Sequence, residues 1–125
     1  MSIQRILIVE DDLIIQMFIS RVVQSAGFEV VGEARKCSQA VDIAREMKPD
    51  LILMDIGLVG EKDGIDAAEI LNKETSIPII FMTGNSDELT LERARKVNPV
   101  DIIFKPIDEL RLSGILVKLR EESTD

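Results

Sequence analysis

The chain alternates between short runs that are almost wholly apolar and longer segments in which apolar and polar residues mix at helical spacing. A short apolar run is typical of a strand buried on both faces, and such strands belong to parallel sheets. Regular alternation of strand and helix predicts an α/β fold with helices on both faces of the sheet. The predicted strands lie near residues 4–10, 28–34, 50–56, 77–82 and 100–104, and the predicted helices near residues 13–26, 38–48, 64–74, 86–97 and 108–121.

Capping residues mark several of the predicted helix ends. Gly27 can adopt the left-handed conformation that closes the first helix, and Pro49 ends the second because proline cannot continue it. The expected N-cap of the fourth helix is Asn85 or Ser86, and that of the fifth is Asp108. Short polar side chains at these positions accept hydrogen bonds from the first free backbone N–H groups.

The first and fifth helices carry apolar residues on two sides. The side predicted to face the sheet holds Ile15, Phe18, Ile19 and Val22 in the first helix and Leu112, Leu116 and Leu119 in the fifth. The opposite side holds Leu13, Met17, Leu110 and Val117. If the two helices are neighbours, these outer residues predict an apolar patch suited to a homodimer or another partner. The alternative is a scatter of surface apolar residues, which is normal on any protein.

Composition narrows the class of protein. With 125 residues the chain matches one ordinary domain, so we predict a single domain over residues 1–125 with a polar tail at 121–125. The net charge of −8 argues against binding to nucleic acid or to an anionic membrane surface. No apolar stretch approaches the roughly 20 residues that span a bilayer, no signal peptide is evident, and the lone Cys37 suits a reducing cytoplasm. Without histidine, a Ser-His-Asp triad, an imidazole metal site and a phosphohistidine carrier are excluded.

Polar groups stand at the ends of four apolar runs. They are Glu10, Asp11 and Asp12 on the first, Asp55 on the third, Thr83 and Gly84 on the fourth, and Lys105 and Pro106 on the fifth. Because parallel strands carry their C-terminal ends to one edge of the sheet, we expect these groups to meet there. Two carboxylates 4 Å apart repel by about 4 kcal/mol at an effective dielectric constant near 20, so the acidic cluster favours a bound cation. Oxygen ligands alone suit Mg²⁺ or Mn²⁺, although Asp12 could instead cap the first helix.

The other groups in this set suit a phosphoryl oxygen. The ammonium of Lys105 is a compact charge that pairs with a carboxylate or phosphoryl oxygen, and Pro106 makes a cis peptide possible at that point. Thr83 offers a hydroxyl donor, and Gly84 lets the backbone approach an anion closely. The combination predicts a site for a divalent metal and phosphoryl transfer.

With these residues the chain resembles the receiver domains of two-component response regulators over essentially its whole length. The resemblance implies a flavodoxin-like, CheY-like fold: a doubly wound (βα)5 sandwich around a five-stranded parallel sheet in the order 2-1-3-4-5. It also implies a cytoplasmic signalling switch that catalyses its own phosphorylation and dephosphorylation. A histidine kinase or phosphotransfer protein would supply the phosphoryl group, and a partner or output domain would read the changed surface of helix four and strand five.

The same resemblance implies a role for each site residue. Asp55 is the phosphoacceptor, Thr83 the switch hydroxyl and Lys105 the partner of the phosphoryl group. Mg²⁺ would be held by Asp11, Asp55 and the backbone carbonyl of Gly57, with Glu10 acting through water. Gly57 and Asn85 would lie beside the water that attacks the phosphoryl group. The other residues assigned to the site are Gly84, which follows Thr83, and Pro106, which follows Lys105.

The sequence departs from the family pattern in three places. Ile102 stands where the family often has an aromatic switch residue, which puts the usual aromatic readout in doubt. The loop after Asp55 lacks the family's proline, and Pro99-Val100 replaces a Gly-Ala pair. None of these changes removes a predicted catalytic group.

Three other functions deserve comparison with this one. A phosphatase of the haloacid dehalogenase type needs Asp-x-Asp after strand one, which the Glu10-Asp11-Asp12 run does not supply. A flavodoxin-like FMN carrier needs a phosphate loop there, and acids would repel the phosphate. A pseudo-receiver, which would act only as a phosphorylation-independent interaction module, is disfavoured by the intact set of site residues.

Overall fold

The computed structural model describes residues 3–122, and all ten predicted elements are present in it. The strands are β1 (Arg5–Val9), β2 (Glu29–Ala34), β3 (Leu51–Asp55), β4 (Ile79–Thr83) and β5 (Asp101–Phe104). The helices are α1 (Leu13–Ser25), α2 (Cys37–Met47), α3 (Gly64–Asn72), α4 (Glu88–Arg95) and α5 (Glu109–Glu122). Residues 121 and 122 of the predicted polar tail extend α5, and residues 123–125 lie outside the described part of the chain. None of these helices is both long enough and apolar enough to span a bilayer.

The five strands form one parallel sheet in the order β2-β1-β3-β4-β5, as predicted. Strands β1, β3 and β4 lie in the centre, where both faces are covered, and this explains why they are apolar except for Arg5 at the start of β1 and Asp55 and Thr83 at the ends of β3 and β4. Alternate residues of each strand enter opposite cores. In β3, for example, Leu51 and Leu53 pack with α1 and α5, whereas Ile52 and Met54 pack with α2, α3 and α4.

Several predicted helix ends are confirmed. Gly27 has a φ angle of +93° directly after the C-terminal cap of α1, which is a backbone conformation that other residues rarely adopt. The carboxylate of Asp108 accepts a hydrogen bond of 2.9 Å from the backbone N–H of Arg111 at the start of α5. Asp12 caps α1 by accepting from the N–H groups of Ile14 and Ile15 at 2.9 and 3.2 Å. Of the two roles considered for Asp12, capping is therefore the one present.

The predicted N-cap of α4 was wrong. The cap is Asp87, whose carboxylate accepts from the backbone N–H of Thr90 at 3.2 Å, and neither Asn85 nor Ser86 takes that role. The backbone of Asn85 is instead folded back onto the hydroxyl of Thr83, and its side chain accepts from the N–H of Asp87 at 2.8 Å. The turn that follows β4 therefore uses Asn85, and the helix begins later than predicted.

The inner face of α1 also differs from the prediction. Ile19 and Val22 are buried as expected, but Phe18 is 37% exposed and Gln16 is buried in its place. The reason is polar: the Gln16 amide donates to two backbone carbonyls at the end of the sheet, and these bonds favour a rotation of the helix that apolar spacing alone does not indicate. On α5, Leu112 and Leu116 are fully buried, and Leu119 is half-buried against the same core.

A close approach between α3 and the end of β3 generates the first testable prediction. A Cβ atom on Gly64, the first residue of α3, would overlap the carbonyl oxygen of Asp55. Gly64→Ala should therefore lower the free energy of unfolding by about 1–3 kcal/mol, the usual cost of overpacking. The matched control is Gly114→Ala, in the middle of α5, where a Cβ would meet nothing within 4 Å.

The control should instead gain up to about 1 kcal/mol, because alanine favours a helix interior over glycine. Urea unfolding followed by circular dichroism gives both values, since the chain has no Trp or Tyr for fluorescence. Equal unfolding midpoints for Gly64→Ala and the wild type would contradict the steric argument.

Candidate functional site

The C-terminal edge of the sheet brings the predicted site residues together. Asp55 is the last residue of β3 and Thr83 the last of β4, whereas Glu10 follows β1 and Lys105 follows β5. A cleft of about 700 Å³ opens at this edge. The predicted site residues that line it are Glu10, Asp11, Asp55, Gly57, Thr83, Gly84, Asn85 and Lys105. Two others do not line it: Ile102 is half-buried against the core beneath α2, α3 and α4, and Pro106 follows Lys105 through a cis peptide.

Three carboxylates meet at the base of this cleft. Glu10 is fully buried, Asp55 is 3% exposed and Asp11 is half-buried. One oxygen from each carboxylate lies within 4.8 Å of the others. Asp12, the next acid along the chain, is exposed and occupied as the cap of α1. The acidic cluster therefore consists of Glu10, Asp11 and Asp55.

Lys105 is the cation that faces this cluster. Its Nζ atom lies 2.6 Å from Oε1 of Glu10 and 3.3 Å from Oδ2 of Asp55. Burial disfavours the charged ammonium, but the ion pair with Glu10 and the nearby charge of Asp55 outweigh it and raise the pKa of Lys105 above the ordinary lysine value. Lys105 is therefore a firmly charged ammonium shared between two carboxylates.

The charged form of Glu10 is less favoured than that of Lys105. The pKa of Glu10 is raised to about 7 as the net of three effects: burial, the largest, raises the pKa, the contact with Lys105 lowers it, and Asp55 raises it. Oε2 accepts from the backbone N–H of Asp12 at 3.1 Å. Oε1 forms the ion pair with Lys105 but has no partner in good hydrogen-bond geometry. A buried oxygen of this kind, beside two other carboxylates, is suited to a cation or to the water of a hydrated cation.

The donor set therefore fits a hard divalent metal ion. The cluster offers only oxygen atoms, which Mg²⁺ and Mn²⁺ prefer. Cys37, the only cysteine, is the buried first residue of α2 and does not line this cleft.

The backbone around Asp55 fixes the orientation of its carboxylate. Oδ1 accepts from the N–H of Gly57 at 3.2 Å, and the N–H of Ile56 donates to the carbonyl of Met82 on β4 at 2.9 Å. With Lys105 on Oδ2, both oxygens of Asp55 have a donor within reach. The carboxylate is thus presented at the floor of the cleft in a defined orientation.

Thr83 faces its own loop. Its hydroxyl donates to the carbonyl of Asn85 at 3.1 Å and accepts from the N–H of the same residue at 3.0 Å. A hydrogen bond from this hydroxyl to a group on Asp55 would require the donor bond to Asn85 to break. Phe104 pairs with Thr83 across β4 and β5 and is 46% exposed, whereas position 102 is aliphatic.

The sequence did not indicate two residues that contact the backbone of Glu10 and Asp11. Gln16 and Arg35 both donate to backbone carbonyls of the acids that follow β1. The signal for Gln16 is a polar residue on the inner side of an otherwise apolar stripe. Arg35 gives no local signal, because its contact depends on how β2 lies beside β1.

Comparison with known proteins identifies one family. The model of the response regulator receiver domain matches residues 6–116. The transcriptional regulatory protein PdtaR of Mycobacterium tuberculosis is 37% identical over 103 residues, which cover 82% of this chain and 50% of that protein. The chemotaxis protein CheY of Thermotoga maritima is 34% identical over 117 residues, which cover 93% of this chain and 97% of CheY. This chain therefore spans half the length of PdtaR and nearly all of CheY.

A solved structure supports the same assignment. The signal receiver domain of a modulated diguanylate cyclase from Desulfovibrio desulfuricans G20 superposes with a TM-score of 0.83 at 32% identity. The superposition covers 98% of this chain and 100% of the other. Receiver domains of this type typically bind Mg²⁺, and the acidic cluster described above could hold it.

Because Lys105 pairs with both Glu10 and Asp55, its removal should lower stability. In metal-free buffer, Lys105→Met should lower the free energy of unfolding by about 2 kcal/mol, because it leaves the buried Glu10 and the nearby Asp55 without a counter-charge. Glu10→Gln in the Lys105→Met background should recover part of that loss, since a neutral amide needs no counter-charge. Lys118→Met, an exposed lysine on α5, is the control and should change little.

Urea unfolding of the wild type, the two single variants and the double variant gives the coupling between Lys105 and Glu10 directly. Additive effects of the two substitutions would show that the ammonium does not offset the charge of Glu10.

Proposed function

The chain belongs to the response regulator receiver domain family of two-component signalling, and we propose that it is a phosphorylatable switch with Asp55 as the phosphoacceptor. The observation that carries the proposal is the placement of Asp55 at the floor of the cleft, between the ammonium of Lys105 and the two other carboxylates. A purely structural acid at a strand end would have no need of a half-buried lysine and two acidic neighbours.

The proposed reaction is transfer from a phosphohistidine on a histidine kinase or phosphotransfer protein. A carboxylate oxygen of Asp55 attacks the phosphorus, an O–P bond forms as the P–N bond breaks, and the leaving imidazole keeps the electron pair and takes up a proton. Lys105 pairs with a phosphoryl oxygen as negative charge accumulates, because its ammonium already lies 3.3 Å from Oδ2 of Asp55. Hydrolysis of the acyl phosphate by water then releases inorganic phosphate and returns the free carboxylate. In this proposal the chain catalyses both steps on itself.

Mg²⁺ or Mn²⁺ would be held by Asp11, Asp55 and the backbone carbonyl of Gly57, with Glu10 acting through a water molecule. Two observations support this ligand set. The three carboxylates lie close together, and the buried Oε1 of Glu10 has no hydrogen-bond partner in good geometry besides its ion pair with Lys105. When bound, the ion supplies positive charge to the phosphoryl oxygens during transfer.

The proposed switch begins at Thr83. In the phosphorylated state its hydroxyl would leave the carbonyl of Asn85 and donate to a phosphoryl oxygen, and Gly84 adds no side chain that would obstruct this change. The rearrangement would alter the surface of α4 and β5 that a partner protein or an output domain reads. Asn85, exposed at the mouth of the cleft, together with Gly57 would set how quickly water reaches the phosphoryl group.

We further propose that residues 1–125 form a single receiver domain acting in the cytoplasm. The net charge of −8 disfavours direct contact of these residues with nucleic acid or with an anionic membrane. A protein partner is therefore the expected reader of the switch.

The central prediction concerns Asp55. Asp55→Asn should abolish Mg²⁺-dependent labelling by acetyl phosphate, because the amide cannot act as the nucleophile. The control is Asp12→Asn, which removes the carboxylate next to Asp11 in the chain but outside the acidic cluster. Asparagine is as good an N-cap as aspartate, so this control should fold and label normally.

Labelling is measured by the added mass of the intact protein with and without EDTA. Labelled Asp55→Asn would overturn the proposal, and an unlabelled wild type would favour a phosphorylation-independent interaction module.

The outer faces of α1 and α5 suit a second proposal, a homodimer contact. Both helices begin at the C-terminal edge of the sheet and are neighbours on one face of it. Leu13 and Met17 are 51% and 63% exposed on α1, and Leu110 is 80% exposed on α5. Val117, also predicted on the outer side, is half-buried and therefore exposes less apolar surface than these three residues.

Met17→Glu combined with Leu110→Glu should keep the protein monomeric while Asp55 is labelled at the wild-type rate, because charges on the patch oppose its burial in a dimer. Sedimentation of phosphorylated and unphosphorylated protein at high concentration measures the association. A wild type that stays monomeric in both states would exclude the dimer and leave the apolar residues as ordinary surface positions.

A further inference from the structure

The acidic loop, defined here as Glu10–Asp12, is tied at its backbone by side chains from outside it. The carbonyl of Glu10 accepts from Nε2 of Gln16 at 3.1 Å, and the same Nε2 donates to the carbonyl of Ala34 at 3.1 Å. The N–H of Glu10 also donates to the carbonyl of Ala34, at 2.9 Å. One buried amide therefore joins the first residue of the acidic loop to the end of β2.

A second side chain holds the next carbonyl. Nε and Nη2 of Arg35 donate to the carbonyl oxygen of Asp11 at 3.3 and 3.2 Å. The backbone N–H of Arg35 is itself fixed, because it donates to the side chain of Gln39 at 3.0 Å. The guanidinium thus reaches across from the start of α2 and fixes the main chain of Asp11 from the solvent side.

The carboxylates of the acidic loop have a reason to move apart. Glu10, Asp11 and Asp55 bring three acids within 4.8 Å of one another, with Lys105 as the counter-charge. An unrestrained loop would relieve the repulsion by letting Asp11, the least buried of the three, swing towards water. A cation would then have to gather the ligands again as it bound, which weakens its affinity.

We propose that Gln16 and Arg35 are positioning residues for the cation site, holding the carbonyls of Glu10 and Asp11 so that the two carboxylates stay beside Asp55. The inference rests on the proposed function only in taking Asp11 and Asp55 as ligands of the ion and Glu10 as a contact through water. Neither side chain ligates the ion or contacts the phosphoryl group. Their effect is on the cation affinity of the empty site, with little effect on the rate of transfer once the site is filled.

Arg35 offers a test in which two explanations predict opposite signs. If its charge were all that mattered, removing a cation beside a cation site would strengthen Mg²⁺ binding. If its two hydrogen bonds position Asp11, Arg35→Met should weaken binding although the site becomes more negative. Arg35→Lys keeps the charge but loses the forked pair of donors, so positioning predicts Mg²⁺ binding at least as weak as in Arg35→Met, whereas charge alone predicts binding like the wild type.

The experiment is a Mg²⁺ titration of the full chain followed by NMR of the backbone amides around Asp55. Gln16→Leu and Arg35→Met should each raise the Mg²⁺ dissociation constant by roughly 10-fold, the lower end of what the loss of an outer-shell contact costs. Gln24→Leu and Arg21→Met are the matched controls on the exposed side of α1 and should bind as the wild type does. Asp11→Ala serves as the reference for a lost ligand.

Labelling by phosphoramidate at increasing Mg²⁺ provides the second readout. Both variants should need more Mg²⁺ for half-maximal rate and should reach a maximal rate within about twofold of the wild type, since outer-shell contacts act on affinity. Unchanged dissociation constants, tighter binding in Arg35→Met, or a lowered maximal rate at saturating Mg²⁺ would each overturn the positioning role.

The outcomes separate this inference from the function it rests on. If Gln16→Leu unfolds, the surface variants of Arg35 decide the question alone. A wild type that binds no Mg²⁺, or an Asp11→Ala variant that binds it as tightly as the wild type, would overturn the cation site itself and this inference with it.

Discussion

The structure depends on a balance of charge at the end of a buried sheet. Three carboxylates lie within 4.8 Å of one another, and the ammonium of Lys105 contacts two of them. Each pair of acids at such a distance repels by a few kcal/mol at a moderate effective dielectric constant, which is a large share of the stability of a small domain. Lys105 offsets only part of this negative charge, and burial, more than Asp55, raises the pKa of Glu10 to about 7. The remaining imbalance is what makes the site receptive to a cation.

The sheet makes this concentration of charge possible. Its three central strands are apolar between their ends and are covered on both faces, so packing helps to fix their register. Parallel pairing then carries the polar residues at the strand ends to the same edge. Stability is drawn from the two cores, and the edge is free to hold groups that repel. The tight contact between Gly64 and the carbonyl of Asp55 shows how closely the supporting helix approaches that edge.

The parallel sheet and the meeting of the main site residues at one edge could be predicted because they leave a clear sequence pattern, whereas the strand order was implied by the family resemblance. Asp55, Thr83 and Lys105 stand where apolar strands end, and that position decides where they meet. Details set by local hydrogen bonds could not be predicted. Phe18 was expected in the core, but the two bonds of the Gln16 amide orient α1 differently. In the same way, the loop bonds between Thr83 and Asn85 move the cap of α4 to Asp87.

Those same loop bonds connect the site to α4 through a short chain of contacts. Thr83 is bonded to the backbone of Asn85, the side chain of Asn85 accepts from the N–H of Asp87, and Asp87 caps α4. A neutral hydrogen bond such as that from Thr83 to Asn85 contributes about 1 kcal/mol, whereas a bond to a charged phosphoryl oxygen is roughly twice as strong. The hydroxyl would therefore move towards a phosphorylated Asp55.

The response would appear in α4 because that helix is weakly held. It is eight residues long and buries only Leu91 and Ala94. Its ion pair from Arg93 to Asp63, at 2.9 Å, is partly exposed and contributes about 1 kcal/mol or less. A change of one hydrogen bond at Thr83 is comparable in size to what holds the start of this helix in place. The longer helices α1 and α5 are anchored in the opposite core and would remain where they are.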